Sequence, residues 1–263
     1  MTVHFIGAGP GAVDLLTLRA RDLIAAAPVC LYAGSLVPPE MLEICPPGAR
    51  TVDTALMTLD EITGEMVRAH RHGLDVARLA SGDPSVFSAM AEQMRRLEAE
   101  GVPYDVCPGV PAYAAAAAAL GRELTVPTVA QTVTLTRIAA RATPMPENEG
   151  LDKLGSAGGT VVLHLAVHRI AEVVDALAPS YGGDCPAAVV AHASRAHEIV
   201  LRGTLEQMPK AVDEAGIQRT AVIIVGEALA ARHFPDSHLY SDGRCRAPET
   251  AVWQPAGQDV PGQ

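Results

Sequence analysis

Basic residues, aromatics and long apolar runs are all scarce in this chain, and each shortage removes a class of function. Twenty Lys and Arg stand against thirty Asp and Glu, a net charge of −10. Phosphate neutralisation needs a cationic surplus, so no nucleic-acid partner is expected. One Trp, three Phe and five Tyr leave no base-stacking platform. No stretch of about 18 apolar residues runs free of charge and proline, so no membrane span is expected. Met1-Thr2-Val3-His4-Phe5 has no basic start and its apolar run stops at Gly7, so no signal peptide is expected. The five cysteines, Cys30, Cys45, Cys107, Cys185 and Cys245, are odd in number and never spaced C-x-x-C. They read as buried thiols in a reducing, cytoplasmic compartment, not as a zinc site or a disulfide framework.

What is present is a globular inventory. The 263 residues are 49% hydrophobic and 19% charged, too apolar for disorder and enough for one large domain or two small ones. Strand and helix patterns alternate along the first half. Val3–Ile6, Val29–Tyr32, Val76–Ala80 and Tyr104–Cys107 read as short buried strands. Helical patterns cover Asp14–Ala27, Thr58–His72 and Ser85–Glu100. This alternation predicts an α/β fold with a parallel sheet. From Gly121 to Gly159 the pattern breaks into a Thr-rich run and Pro144-Met145-Pro146, which reads as a segment joining two units. A second α/β run follows, with strands at Thr160–Leu165, Ala187–Ala191 and Thr220–Val225 and helices near His168–Leu177 and Leu205–Ala215. The division expected is an N-terminal lobe over 1–120, a joining segment over 121–159, a C-terminal lobe over 160–231 and an irregular tail over 232–263.

Gly7-Ala8-Gly9-Pro10-Gly11-Ala12 lies between strand and helix, where G-x-G-x-x-G/A marks a dinucleotide site. Pro10 removes an N–H from that loop, and Tyr32-Ala33-Gly34 stands where a ribose-binding acid belongs. A nicotinamide-dependent oxidoreductase is therefore the lesser reading, and a tight turn without a ligand stays open. Gly82-Asp83-Pro84 and Pro108-Gly109-Val110-Pro111-Ala112 are two further small-residue loops at strand ends, where ligands of open parallel sheets bind. Asp83 either accepts hydrogen bonds from a ligand or caps the following helix. Three such loops favour a cleft in which backbone comes close to a ligand. The histidine pairs are His164/His168 and His192/His197; the first straddles a strand-to-helix boundary with no accompanying carboxylate, and no metal is expected.

Taken together, Gly7 to Leu18, Gly82 to Pro84 and Pro108 to Ala112 resemble the tetrapyrrole methylase family. Three further segments look like its branch acting at C11 of precorrin-4: Tyr32 to Val37, Gln131 to Arg137, and Ser237-His238-Leu239-Tyr240. The resemblance implies two α/β lobes with the active site in the cleft between them, assembled as a homodimer. It implies S-adenosylmethionine as methyl donor, S-adenosylhomocysteine as by-product, and a precorrin methylated at C11 to precorrin-5 in corrin biosynthesis. A cobalt-bearing precorrin-4 or another ring carbon is the alternative within the family; outside it stand the oxidoreductase and a binding module without catalysis. Cofactor contacts carried over from the family fall on Pro10, Gly82, Asp83, Val86, Pro111 and Ala112, and in the second lobe on Leu165, Ala193 and Ala221. Tyr32 and Ser35 are expected to meet the substrate. Because precorrins carry several carboxylates, so are Arg137, Arg141 and Arg195. No residue stands out as a general base.

Overall fold

The computed structural model describes residues 1–139 and 144–237. Arg141, Cys245 and the end of the Ser237–Tyr240 motif lie outside the described residues, as does most of the expected tail. Two sheets organise the rest. The first is built from β1 (Val3–Gly7), α1 (Leu18–Ala26), β2 (Val29–Tyr32), β3 (Arg50–Asp53), α2 (Leu59–Arg71), β4 (Val76–Ala80), α3 (Met90–Ala99) and β5 (Tyr104–Cys107). All pairings are parallel, in the order β3-β2-β4-β1-β5. Both faces are covered, as a parallel sheet requires. Ile6, Ala77 and Leu79 pack with Ala20 and Ile24 of α1 on one side. Phe5, Leu31 and Val76 pack with Ile62 and Met66 of α2 and Leu97 of α3 on the other. Thr58 and Glu61 form a reciprocal capping box at the start of α2, and the Thr17 hydroxyl accepts from the Ala20 N–H to start α1.

The second sheet follows α4 (Ala112–Leu120) and uses β6 (Val133–Arg137), α5 (Leu151–Ser156), β7 (Thr160–His164), α6 (Ile170–Tyr181), β8 (Pro186–Ala191), β9 (Ile199–Thr204), α7 (Met208–Glu214) and β10 (Ala221–Val225). Its order is β6-β7-β10-β8-β9, and only β6–β7 is parallel. One face carries α5, α6 and α7, with Leu151, Val173, Leu177 and Val212 packed on Val161, Leu163, Val189 and Ile223. The other face is covered by α4, whose Ala115, Ala116 and Leu120 meet Val162, Val190 and Ile224. An alanine-rich helix suits this role, because small side chains let it lie close to the strands.

Several expectations are corrected. The segment 121–159 does more than join the lobes: it supplies β6 and α5 to the second sheet. α4 belongs by packing to the second lobe although it precedes residue 121. The helix expected from Ser85 starts only at Met90, because Phe87 and Ala89 are left-handed, and the one expected from Asp14 starts at Leu18. β3, β6 and β9 were not expected, and all three are edge strands. Among the described residues no helix is long and apolar enough to cross a membrane.

Candidate functional site between the two lobes

The three strand-end loops of the first sheet are knitted to one another by their glycines. Gly9 and Gly82 exchange backbone hydrogen bonds of 3.1 and 2.7 Å, and the Ala8 N–H donates to the Ala80 carbonyl. A Cβ on Gly7 would overlap the backbone of Gly109, and one on Gly109 would overlap Gly7 and the Gly82 carbonyl. These glycines are needed for backbone to touch backbone. Asp83 completes the latch: its carboxylate accepts from the Ser85 N–H at 2.9 Å, from the Ser85 hydroxyl and from the Gly109 N–H at 2.8 Å. Burial raises the Asp83 pKa, but the hydrogen bonds from Ser85 and Gly109 outweigh it and hold the group below the usual carboxylate range. Asp83 is not the cap of α3, whose N-cap is Ala89 with no side-chain bond.

The second lobe reaches the same region differently. Leu165 after β7, His192 and Ser194 after β8, and Thr220 before β10 all have positive φ, at 55°, 51°, 68° and 55°. Non-glycine residues held there cost about 1–3 kcal/mol each, and such strain gathers at ligand sites. Phe87 in the first lobe is a fifth, with φ of 51°.

Between these elements lies a cleft of about 500 Å³. Pro10, Gly82, Asp83, Val86, Pro111 and Ala112 line it from the N-terminal side, and Leu165, Ala193 and Ala221 from the second lobe. All nine positions carried over as cofactor contacts therefore converge, and Ser35 joins them. Sequence reasoning missed Phe87, His164 and the Gln218-Arg219-Thr220 turn, which also line the cleft. The left-handed residues among them carry no glycine to mark them. The remaining positions lie elsewhere. Tyr32 is half-buried against the first core, and its carbonyl accepts from Thr54. Arg137 pairs in register with His164, and its guanidinium donates to the Ile138 carbonyl at 3.3 Å. Arg195 crosses between the lobes, donating to the Leu36 carbonyl and filling the space a Cβ on Gly11 would take.

The lobes are fastened beside the cleft. Besides Arg195, the Ala12 N–H donates to the Ser194 hydroxyl at 3.0 Å. Asp53 accepts from the N–H groups of Gly34 and Ala55, both at 2.9 Å, which fixes the loop bearing Ser35 and Leu36 and lowers the Asp53 pKa. The Nε2 of His164 and the Nδ1 of His192 are buried with no hydrogen-bond partner. Burial depresses the pKa of both rings, and for His192 so do neighbouring His197, Arg195 and Arg219. Among the described residues no group of three or more His, Cys, Asp or Glu could hold a metal ion.

With this geometry in place, likeness to known proteins becomes decisive. Residues 2–209 match the family model of Tetrapyrrole (Corrin/Porphyrin) Methylases. The chain belongs to this family. It is 61% identical over 246 residues to a precorrin-4 C(11)-methyltransferase of Rhodococcus erythropolis, covering 94% of this chain and 99% of that relative. The X-ray structure of a cobalt precorrin-4 methyltransferase of cobalamin biosynthesis superposes with a TM-score of 0.84 at 39% identity, over 87% of this chain and 95% of that one. The uroporphyrin-III C-methyltransferase of Thermus thermophilus, solved with S-adenosylhomocysteine, gives a TM-score of 0.75 at 28% identity, over 88% and 99%.

Proposed function

We propose that this chain transfers a methyl group from S-adenosylmethionine to C11 of precorrin-4, giving precorrin-5 and S-adenosylhomocysteine. The observation that carries the reading is the convergence of nine family positions from both lobes on one cleft, in a chain 61% identical to a precorrin-4 C(11)-methyltransferase. The higher identity to that relative than to the cobalt enzyme, 61% against 39%, favours the cobalt-free substrate.

The residues present suit the methyl donor. The cleft has the size of a small-molecule site, and its walls at Ala112, Ala193 and Ala221 are small enough for backbone amides and carbonyls to approach a ligand. The orphan Nε2 of His164, a cleft residue, is a polar atom that a ligand would satisfy. When bound, the donor supplies the activated methyl group on its sulfonium, so the protein needs no nucleophile of its own. The chain's share is orientation, which contributes about 7–11 kcal/mol in well-ordered reactions. Asp83 and the interlocked glycines fix the loops on the first-lobe side. The turns at Leu165, Ala193 and Thr220 fix the opposite wall, and the apolar side chains of Val86, Phe87 and Leu165 exclude water.

Arg195 serves as the fastener between lobes, and the substrate carboxylates fall to Arg219, the one arginine lining the cleft among the described residues. We place the enzyme in the cytoplasm, in keeping with the free cysteines Cys30, Cys45, Cys107 and Cys185 among the described residues, and as a homodimer, in keeping with its family. The test is incubation of the protein and S-adenosylmethionine with precorrin-4, with or without cobalt, followed by mass spectrometry. The reading expects a gain of one methylene mainly on the cobalt-free substrate. Equal turnover of both substrates would remove the preference, and no gain on either would reject the function.

A further inference from the structure

Four basic side chains gather on the second-lobe side of the cleft, in a chain whose net charge is −10. His192, Arg195 and His197 belong to the turn between β8 and β9, and Arg219 to the turn before β10. The two turns are tied together, since the His192 N–H donates to the Thr220 carbonyl at 2.9 Å. The rings of His192 and His197 lie 4.3 Å apart, and Arg195 and Arg219 stand near enough to act on His192 electrostatically. Among the described residues none of the four forms an ion pair. Glu198, on the same turn, accepts from the Ser194 N–H at 2.6 Å, and Glu40 of the first lobe acts on Arg195 from longer range. The Nδ1 of His192 is buried without a hydrogen-bond partner, and His192, Ser194 and Thr220 are all left-handed. Arg219 lines the cleft, as does Ala193 next to His192. Like charges brought together repel, and an orphaned polar atom costs free energy. An anion among these groups relieves both costs.

We infer that His192 and Arg219, with Arg195 and His197 beside them, form a carboxylate subsite on the second-lobe side of the cleft, filled by a side chain of the tetrapyrrole. The inference rests on the function proposed above and adds His192 as a residue that recognises the substrate. Both reactants carry carboxylates. That of the methyl donor stands beside its own ammonium, which a cationic cluster repels, whereas the tetrapyrrole carboxylates have no such companion. Arg219 can meet both oxygens of one carboxylate, and His192 adds a charge-assisted bond once protonated. Burial, followed by His197, Arg195 and Arg219, holds the free His192 ring below its ordinary 6.5, so it is neutral at pH 7. A docked carboxylate favours the protonated ring and raises its pKa, so substrate binding takes up a proton. Affinity is therefore highest at mildly acid pH and falls as the pH rises through the pKa of the bound state.

The test is the KM for precorrin-4 at about pH 6, 7 and 8 in the intact protein and in Arg219→Gln, Arg219→Lys and His192→Gln. Calorimetry gives the affinity for S-adenosylmethionine in each, and circular dichroism checks the fold. Arg219→Gln should raise the KM about tenfold or more, and Arg219→Lys, which keeps the charge, by less. In the intact protein the KM should rise from the acid to the alkaline end of this range. His192→Gln should remove that dependence and raise the KM about threefold to tenfold at the acid end. Affinity for S-adenosylmethionine should stay within about twofold throughout. Weakening of S-adenosylmethionine in step with the KM would give the subsite to the donor's carboxylate and overturn the inference. An unchanged KM in both glutamine variants would overturn it too, as would a pH dependence that survives in His192→Gln. If the intact protein does not methylate precorrin-4, the proposed function fails. Binding of uroporphyrin, a stable tetrapyrrole polycarboxylate, to the same variants then decides the subsite by the same comparisons.

Discussion

The two lobes build one cleft by opposite means. The first brings backbones together through glycines at the ends of parallel strands, where Gly7, Gly82 and Gly109 touch and Asp83 latches them. The second sheet is mixed, and its turns place Leu165, His192, Ser194 and Thr220 in left-handed backbone without glycine. A glycine contact costs entropy in the unfolded chain but is unstrained once formed; a left-handed Thr or Leu is strained in the folded chain. The first wall is therefore expected to be rigid and intolerant of added atoms. The second stores strain, and substitution there can relieve it.

The largest effect should come from Gly109→Ala. Its Cβ would meet the backbones of Gly7 and Gly82, which have no room to yield. A loss of about 3 kcal/mol is expected, lowering the melting temperature by about 6–12 °C. An unchanged melt would show that the loops are not interlocked. Asp83→Ala should follow, removing charge-assisted hydrogen bonds to Gly109 and Ser85 at a cost of about 1.5–3 kcal/mol in chemical denaturation. Thr220→Gly should have the opposite sign, a gain of at most about 1 kcal/mol as strain is released against the extra entropy of glycine. Destabilisation by Thr220→Gly would mean that the two walls do not differ as described.

Acidification should separate the lobes more gently. His164 and His192 have pKa values below the ordinary 6.5, so the unfolded chain binds protons first as the pH drops. Their contribution is present above about 6.5 and is lost as the pH falls through their folded values. Asp53 and Asp83, in the first lobe, sit below the ordinary 3.8, so their contribution is lost only below that value. Hydrogen exchange at neutral and mildly acid pH should show the turns at 164–165 and 192–195 opening before the glycine loops. Simultaneous opening would contradict the assignment.

The same contrast explains what could be read in the chain before its structure. β1, β2 and β4 are short apolar runs buried on both faces, and their periodicity was legible. β3, Arg50-Thr51-Val52-Asp53, lies at a sheet edge with mostly exposed side chains and shows no such run. β6 and β9 are edge strands too, the first hidden in a Thr-rich stretch that reads as a linker. Glycine and proline mark the loops that hold Pro10, Gly82, Asp83, Pro111 and Ala112, but the assignment of these positions and of Val86 to a cofactor came through resemblance to a family. Leu165, Ala193 and Ala221 came only through resemblance to a family, since nothing local distinguishes them. The charge of Arg195, which makes it a candidate substrate contact, is visible in sequence; its reach to Leu36 depends on how the lobes meet and is not. Phe87 and His164 lie far apart in the chain, and only the fold makes them neighbours.

The central claim is that both lobes hold one ligand in one cleft. It is tested most directly by measuring S-adenosylmethionine affinity in two filling variants, Val86→Trp in the first lobe and Ala221→Leu in the second, each half-buried in the wild type and lining the cleft. Overpacking of this size costs about 1–3 kcal/mol, so each variant should bind roughly tenfold or more weakly while keeping its fold by circular dichroism. Wild-type affinity in either folded variant would mean that its lobe does not contribute to the site.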